Sequence, residues 1–147
     1  MKKILTLQTI FLLATHCSYS QLEGKTGIFF DGLYIAKTGA VPAANIEIFT
    51  YLKFYDDGTV YLQSVSSNDP QSVSKWFSRD KKFSQKGLYA IDSGLITIQV
   101  NNSASEDSKL EGKAETNYKG VIKKNGQLCL IRNKEVEERC FMFSKTP

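Results

Sequence analysis

Residues 51–62 read YLKFYDDGTVYL, and this stretch decides the fold of the chain. Aromatic and aliphatic residues flank the motif DDG, which predicts two β-strands joined by a tight turn. A three-residue turn keeps the apolar side chains of both strands on one face, pairing Phe54 with Val60 and Leu52 with Leu62. A two-residue turn would mix the faces. The sequence therefore predicts the longer turn, with its glycine in the left-handed conformation.

The same argument applies to two later hairpins. The motif KNG, as a three-residue turn, keeps the apolar residues of the next strands in register. In the segment YAIDSGLITI, a three-residue turn would bury Leu88 and Ala90, whereas a four-residue turn over 92–95 buries Tyr89 and Ile91. We favour the four-residue turn because it buries the larger side chains.

Short segments rich in Val, Ile, Tyr and Phe follow one another along the chain, separated by Gly, Asn and Asp. This spacing is typical of an all-β sandwich or barrel. Successive hairpins favour up-and-down connectivity, and about eight such strands can close into a barrel. The predicted fold is an all-β, antiparallel up-and-down β-barrel with one short helix. The predicted strands span 27–37, 47–55, 59–66, 86–91, 95–100, 115–123, 127–132 and 138–144.

The segment DPQSVSKWF departs from the strand pattern. Asp69 is a suitable N-cap, and the proline after it suits the first helical position. Val73, Trp76 and Phe77 then recur at helical spacing. The sequence predicts a short helix over 70–79, which lies across the sheet or closes one end of the barrel.

The first twenty residues have the pattern of a secretory signal peptide. Two lysines precede an apolar run, and Ser18 and Ser20 occupy positions −3 and −1 of a cut before Gln21. The apolar run is too short to cross a bilayer, which takes about 20 residues. We expect a signal peptide over 1–20, one domain over 21–147, export to the periplasm or the exterior, and no transmembrane segment.

Cys17 offers an alternative route, in which the exported protein is lipid-anchored at this cysteine. A lipoprotein signal usually has Leu at −3 and Gly or Ala at −1 of the lipidated cysteine. Ala14 and His16 occupy these positions here. Either route predicts export.

Cleavage before Gln21 would change the composition in two ways. It removes two of 19 basic residues and leaves 17 against 15 acidic residues, a net charge of +2 that argues against nucleic-acid binding. It also removes His16, the one histidine, which rules out Ser-His-Asp and Cys-His catalysis and His-ligated zinc. The acidic pairs at 56–57 and 137–138 lie in or beside turns, and the stretch SEDS lacks EF-hand spacing. We expect no catalytic activity, no metal site and no cofactor.

Cys129 and Cys140 remain in the mature chain. An even number of cysteines in an exported chain favours a disulfide. If the apolar residues beside each cysteine face inward, both cysteines face outward in cross-strand register. The sequence predicts a disulfide between them, and the alternative is two free thiols.

The segments YLKFYDDGTV, KWF, KGLYAIDSGLITI, YKGVIKKNGQLCLI and RCFMF together resemble the small lipocalin-like (calycin-type) domains of exported bacterial proteins. The resemblance covers about residues 28–144 and consists of spaced aromatic and turn positions. The Gly-x-Trp motif of lipocalins has a partial counterpart in Gly32-Leu33-Tyr34. The resemblance implies a barrel that takes up a small apolar ligand in its interior or at its open end.

Two hypotheses for function follow. The first is a binding module for a small hydrophobic molecule, with six aromatic candidates that would equally suit an ordinary core: Tyr34, Phe54, Trp76, Tyr89, Tyr118 and Phe141. The second is a structural or protein-interaction module of the cell envelope, such as an inhibitor or surface component, with a solid core. An outward-facing row of interface-like composition would serve the second hypothesis: Tyr51, Lys53, Tyr55 and Tyr61.

Overall fold

The computed structural model describes residues 27–77, 85–101 and 115–147. The predicted signal peptide, Cys17 and His16 therefore lie outside the described residues. The secondary structure comprises β1 (Gly32–Val41), β2 (Ile46–Phe54), β3 (Thr59–Val65), α1 (Pro70–Ser74), β4 (Gln85–Asp92), β5 (Leu95–Asn101), β6 (Glu115–Ile122), β7 (Leu128–Arg132) and β8 (Glu138–Lys145). A short 3-10 turn, Pro42–Ala44, joins β1 to β2. Within the described ranges, no helix has the length and apolar character needed to cross a membrane.

The eight strands form a closed barrel in which each strand pairs antiparallel with its neighbour in sequence. Pairing of β8 with β1 completes the closure. Each of the eight described strands therefore has a hydrogen-bonded neighbour on both sides. The predicted all-β, antiparallel up-and-down barrel with one short helix is confirmed.

The turn Asp56-Asp57-Gly58, between β2 and β3, has the predicted geometry. Phe54 pairs with Val60 and Leu52 with Leu62. Gly58 has a φ of 83°, the left-handed conformation expected at the end of a three-residue turn. All four apolar side chains are buried in the barrel interior, so the register follows the hydrophobic pattern.

The other two hairpins also have the predicted register, but one turn is shorter than expected. In the hairpin between β4 and β5, Ile91 pairs with Ile96 as predicted. Asp92 and Leu95 also pair, so the turn contains only Ser93 and Gly94. These two residues have φ values of 51° and 82°, and a two-residue turn with both residues at positive φ suits the twist of a hairpin.

The segment before β1 closes one end of the barrel, where a strand was predicted. Ile28 is fully buried in the interior, and the Phe29 N–H donates to Tyr34 Oη at 3.0 Å. The Phe29 ring also contacts Phe143, with ring centroids 4.8 Å apart. At Gly126, in the turn after β6, a Cβ atom would lie 2.7 Å from the Phe29 ring. The first predicted strand was therefore wrong in its bounds, because residues 27–31 turn across the barrel end.

The helix α1 lies across the outside of the barrel, which was one of its two predicted positions. The Asp69 carboxylate caps it by accepting the Gln71 N–H at 3.0 Å. The helix ends at Ser74, earlier than predicted, and residues 78 and 79 of the predicted helix lie outside the described ranges. Val73 and Phe77 are buried in an outer cluster with three residues of the barrel wall: Leu33, Tyr51 and Tyr61.

The tyrosines of the outward-facing row hold the segment that carries α1. Tyr51 and Tyr61 face outward as predicted, but both are buried beneath this segment. Tyr51 Oη donates to the Ser67 carbonyl at 2.8 Å, and Tyr55 Oη donates to the Phe77 carbonyl at 2.6 Å. The expectation of an exposed tyrosine interface is therefore wrong at Tyr51 and Tyr61, because the connection between β3 and β4 covers them.

The predicted disulfide is present. Cys129 in β7 and Cys140 in β8 are directly opposite cross-strand partners, with Cα atoms 4.0 Å apart. The bond lies on the outer side of the sheet, since Leu128, Leu130 and Phe141 beside the cysteines belong to the interior cluster. It joins the last two strands of the barrel.

Candidate functional site

The half of the interior near the closed end is filled by aromatic side chains. Tyr34 and Phe54 are fully buried. Phe54 lies edge-on to Tyr34 and to Tyr89, with ring centroids 5.5 Å and 5.0 Å away. Tyr89 Oη donates to the Tyr55 carbonyl at 2.7 Å. These contacts indicate a packed core at three of the six candidate ligand-binding residues.

Burial of the two tyrosine phenols has a consequence for pH dependence. Burial raises the pKa of Tyr34 and the pKa of Tyr89 to about 12. The carboxylates of Asp56 and Asp57 also favour the neutral form of Tyr89. A phenol with a raised pKa in the folded state stabilises the fold while it stays protonated.

We expect the stability advantage of the native protein over the Tyr89→Phe variant to narrow as the pH rises. The advantage, about 1 kcal/mol for the lost hydrogen bond, is complete below pH 10 because both chains then carry a neutral ring. It decreases between pH 10 and 12, because the unfolded native chain ionises at its ordinary pKa while the folded protein resists ionisation. Urea unfolding of both proteins at pH 8, 10 and 11 measures the difference. An advantage that is constant with pH would contradict this reading of Tyr89.

At the opposite end of the barrel, the described residues surround a cavity of about 440 Å³, which we call the mouth. A narrow extension of about 30 Å³ leads inward to an apolar floor formed by Leu52, Leu62, Leu130 and Phe141. The polar wall includes two arginines, a tyrosine and three hydroxyl residues: Arg132, Arg139, Tyr118, Thr38, Thr50 and Ser64. Along β2, β3, β7 and β8, the wall residue lies two positions from the floor residue.

Strand periodicity places the two arginines on the inner face. Arg132 follows Leu128 and Leu130 in β7 at intervals of two, and Arg139 precedes Phe141 in β8 by the same interval. Arg139 pairs with Leu130, and Arg132 pairs with Tyr118 of β6. Neither arginine was predicted from the sequence, although the alternation of inward-facing residues in LCLIR and RCFMF includes both of them.

Glu135, in the turn between β7 and β8, bridges the two arginines. Its Oε1 lies 3.3 Å from Arg132 Nη1 and its Oε2 lies 3.3 Å from Arg139 Nη2. All three side chains are partly exposed to solvent, so each ion pair is individually weak. Among the described residues that line the mouth and its extension, these three carry charge and sum to +1.

A row of hydroxyl groups on the first three strands lines the same cavity as the arginines. Thr38 Oγ1 and Thr50 Oγ1 are 2.8 Å apart, and Thr50 Oγ1 and Ser64 Oγ are also 2.8 Å apart. Each hydroxyl has one proton to donate. The two bonds use two of the three protons, which leaves one O–H that these bonds do not use.

Tyr118 completes the polar wall. Burial raises the pKa of its phenol, while the charges of Arg132 and Arg139 act in the opposite direction and Glu135 adds to the increase. The phenol is therefore a neutral hydrogen-bond donor at neutral pH. The mouth thus combines guanidinium and hydroxyl donors above an apolar floor.

The six predicted ligand-binding residues fall into three groups. Tyr118 and Phe141 border the mouth and its extension. Tyr34, Phe54 and Tyr89 belong to the packed core or its edge. Trp76 lies outside the barrel beyond α1 and is 44% exposed, because its neighbours Val73 and Phe77 take the buried positions.

A larger depression of about 610 Å³ lies outside the barrel, beside α1. Lys53 lines it, but Lys53 Nζ already donates to the Phe30 carbonyl at 2.6 Å and to the Gly32 carbonyl at 3.2 Å. Burial lowers the pKa of this lysine, although Asp31 opposes the effect. Its ammonium therefore holds the backbone of the segment that closes the barrel. Because this charge already has a structural role, we regard the mouth as the better candidate site.

One group of metal-ligating residue types occurs among the described residues. Cys129, Glu138 and Cys140 have ligand atoms within 4.8 Å of one another. The two cysteines are joined in a disulfide and offer no thiolate. This group therefore has no ligand set suited to a metal ion.

Comparison of the chain with protein-family models, curated proteins and solved structures finds no match. The resemblance to lipocalin-like domains therefore stays a prediction. The case for the mouth rests on the geometry of the described residues.

Proposed function

We propose that this chain is an exported, non-enzymatic β-barrel module of lipocalin-like type that binds a small molecule in its mouth. The observation that carries the proposal is the difference between the two barrel ends. Residues 27–31 close one end over a packed core, whereas the described residues of the other end line a cavity of about 440 Å³. Small-molecule sites commonly have volumes of about 300–1,000 Å³ and combine apolar surface with a few polar groups.

The filled core limits where the ligand can lie. Phe54, Tyr34 and Tyr89 occupy the closed half, so a ligand would enter no deeper than the floor of the mouth. Its apolar part would contact Leu62 and Phe141, and its remainder would lie among the polar wall residues. The proposed ligand is therefore partly polar, in contrast to the wholly hydrophobic molecule expected from the sequence.

The predicted signal peptide supports export, and removal of His16 with it supports a role without catalysis. A fold alone does not establish function, and the support for ligand binding comes from the residues of the mouth. Its polar groups are suited to orient a bound molecule.

Native mass spectrometry of the protein purified from its own host tests the proposal. We expect a small molecule to accompany the native protein and the Thr97→Trp variant but not the Thr50→Trp variant. Thr50 lies in the mouth and Thr97 is exposed on the outside of β5, so the two changes add the same bulk at different places. Thermal unfolding of both variants confirms that each is folded. A molecule that stays bound to the folded Thr50→Trp variant would overturn the proposal.

A second candidate function is a protein-interaction module of the cell envelope. It is favoured by apolar side chains exposed on the outside of β4 to β8: Leu88, Leu95, Val121, Ile131 and Met142. Leu95 and Val121 are direct cross-strand partners. Recovery of a bound protein and no small molecule in the same experiment would favour this alternative.

A further inference from the structure

Two arginines occupy inward-facing positions at the ends of β7 and β8 and mark one wall of the mouth. The inner faces of β7 and β8 carry Leu128, Leu130 and Phe141 until the strands reach the mouth. Arg132 and Arg139 then occupy the next inward positions on the two strands. Two guanidinium groups balanced by the single carboxylate of Glu135 leave this wall with a net positive charge, which suits an anionic ligand.

The guanidinium groups retain donors for such a partner. Each guanidinium has five N–H donors in a planar fork that fits an oxyanion. Glu135 contacts one nitrogen of Arg132 and one nitrogen of Arg139. The two contacts therefore leave most of the donors of both groups for water or a ligand.

The structure also contains an oxyanion in the place where a ligand headgroup would bind. The carboxylate of Glu135 lies between Arg132 and Arg139 at 3.3 Å from each. It belongs to the turn between β7 and β8, not to a strand, and it borders the extension of the mouth. A free carboxylate or phosphate has the same chemistry and would compete with it for both arginines.

Resting on the function proposed above, we propose that the mouth selects small molecules with a single oxyanion headgroup and a short apolar tail. The headgroup binds Arg132 and Arg139, and the O–H that the two bonds among Thr38, Thr50 and Ser64 leave over donates to it within the same cavity. The tail contacts Leu62 and the rest of the apolar floor. Glu135 is an internal competitor that lowers the affinity for this headgroup.

Isothermal titration calorimetry with three eight-carbon probes tests the inference. The probes are octanoate, octyl phosphate and the neutral 1-octanol. We expect at least one of the two anions to bind and 1-octanol to bind about tenfold more weakly or not at all, since a hydrogen bond to a charged group contributes about that factor or more. Octanoate and octyl phosphate distinguish a carboxylate headgroup from a phosphate headgroup.

Three variants assign the effect to the named residues. Arg139→Gln should weaken binding of the anion about tenfold to a hundredfold. The control variant Lys119→Gln removes the same charge from the outside of β6. It should leave the affinity within about twofold, because solvent and salt screen exposed charges. Glu135→Gln should strengthen binding, because the competing charge is gone while the side-chain shape is kept. An unchanged affinity in Glu135→Gln would show that Glu135 only stabilises the turn and would overturn its role as a competitor.

The outcomes separate this inference from the proposed function. If 1-octanol and the anions bind the native protein equally, and the folded Thr50→Trp variant binds none of them, the mouth remains the ligand site. The proposed preference for an oxyanion headgroup would then be overturned. If the folded Thr50→Trp variant still binds the anions as the native protein does, the proposed function would be overturned. Absence of binding by all three probes would overturn the inference, and the native mass spectrum would then decide the proposed function separately.

Discussion

Replacing Phe54 with alanine is expected to lower the free energy of unfolding by about 3–5 kcal/mol. Phe54 is fully buried at the centre of the closed half of the barrel. It contacts Tyr34 and Tyr89 edge-on, at 5.5 Å and 5.0 Å between ring centroids. Such ring pairs add stability beyond that of burial, and a filled interior collapses poorly around a missing ring.

The matched control is Trp76→Ala, which removes an aromatic ring from another of the six candidate residues. Trp76 is 44% exposed outside the barrel, so its loss should cost about 1 kcal/mol or less. Guanidinium chloride unfolding of both variants gives the two free energies. Equal losses, or a larger loss at Trp76, would show that the ring of Phe54 is not the packed core residue described above.

Removal of the disulfide by the double change Cys129→Ala and Cys140→Ala is expected to lower the free energy of unfolding by about 3 kcal/mol. The bond closes a loop with a sequence separation of 11 residues, for which the chain-entropy model gives about this value. Alanine is suitable because Cys129 is fully buried and serine would place an unpaired hydroxyl there.

Two controls isolate the effect of the bond. The single variant Cys140→Ala should lose about as much stability as the double variant, since either change opens the loop. Addition of dithiothreitol should destabilise the native protein to a similar extent and leave the double variant unchanged. A double variant as stable as the native protein would contradict a stabilising role.

Much of the fold could be predicted because strand register depends on local patterns. Alternation of apolar residues around Gly58 determined the pairing of Phe54 with Val60, and the structure has that pairing. The disulfide followed from the same alternation, because it placed Cys129 and Cys140 on one outer face. These inferences needed only residues close together in sequence.

The parts that were missed depend on contacts between distant residues. Residues 27–31 were read as a strand because their apolar pattern suits one, but the barrel end they cover is formed by β8 and the turn before β7. Tyr51 and Tyr61 were expected to be exposed, because nothing in β2 or β3 shows that α1 packs over them. Local patterns do not reveal which distant segment covers a surface.

The candidate site was predicted less well than the fold. The residues predicted to bind a ligand were all aromatic, and most of them belong to the interior cluster or pack against it. The charged residues of the mouth, Arg132 and Arg139, stand at the ends of strands where a polar residue is ordinary. Only the closed barrel brings them together with Thr50 and Tyr118 from other strands.

Methyl NMR spectra recorded during titration with octanoate and octyl phosphate test the central claim most directly, because they locate a bound molecule within the barrel. We expect the largest shifts at the methyl groups of Leu52, Leu62 and Leu130, which form the floor of the mouth. The methyl groups of Val60 and Ile96, which are buried in the interior but do not line the mouth or its extension, should move little. Largest shifts at Val60 and Ile96, or at Leu33 outside the barrel, would contradict the mouth as the binding site.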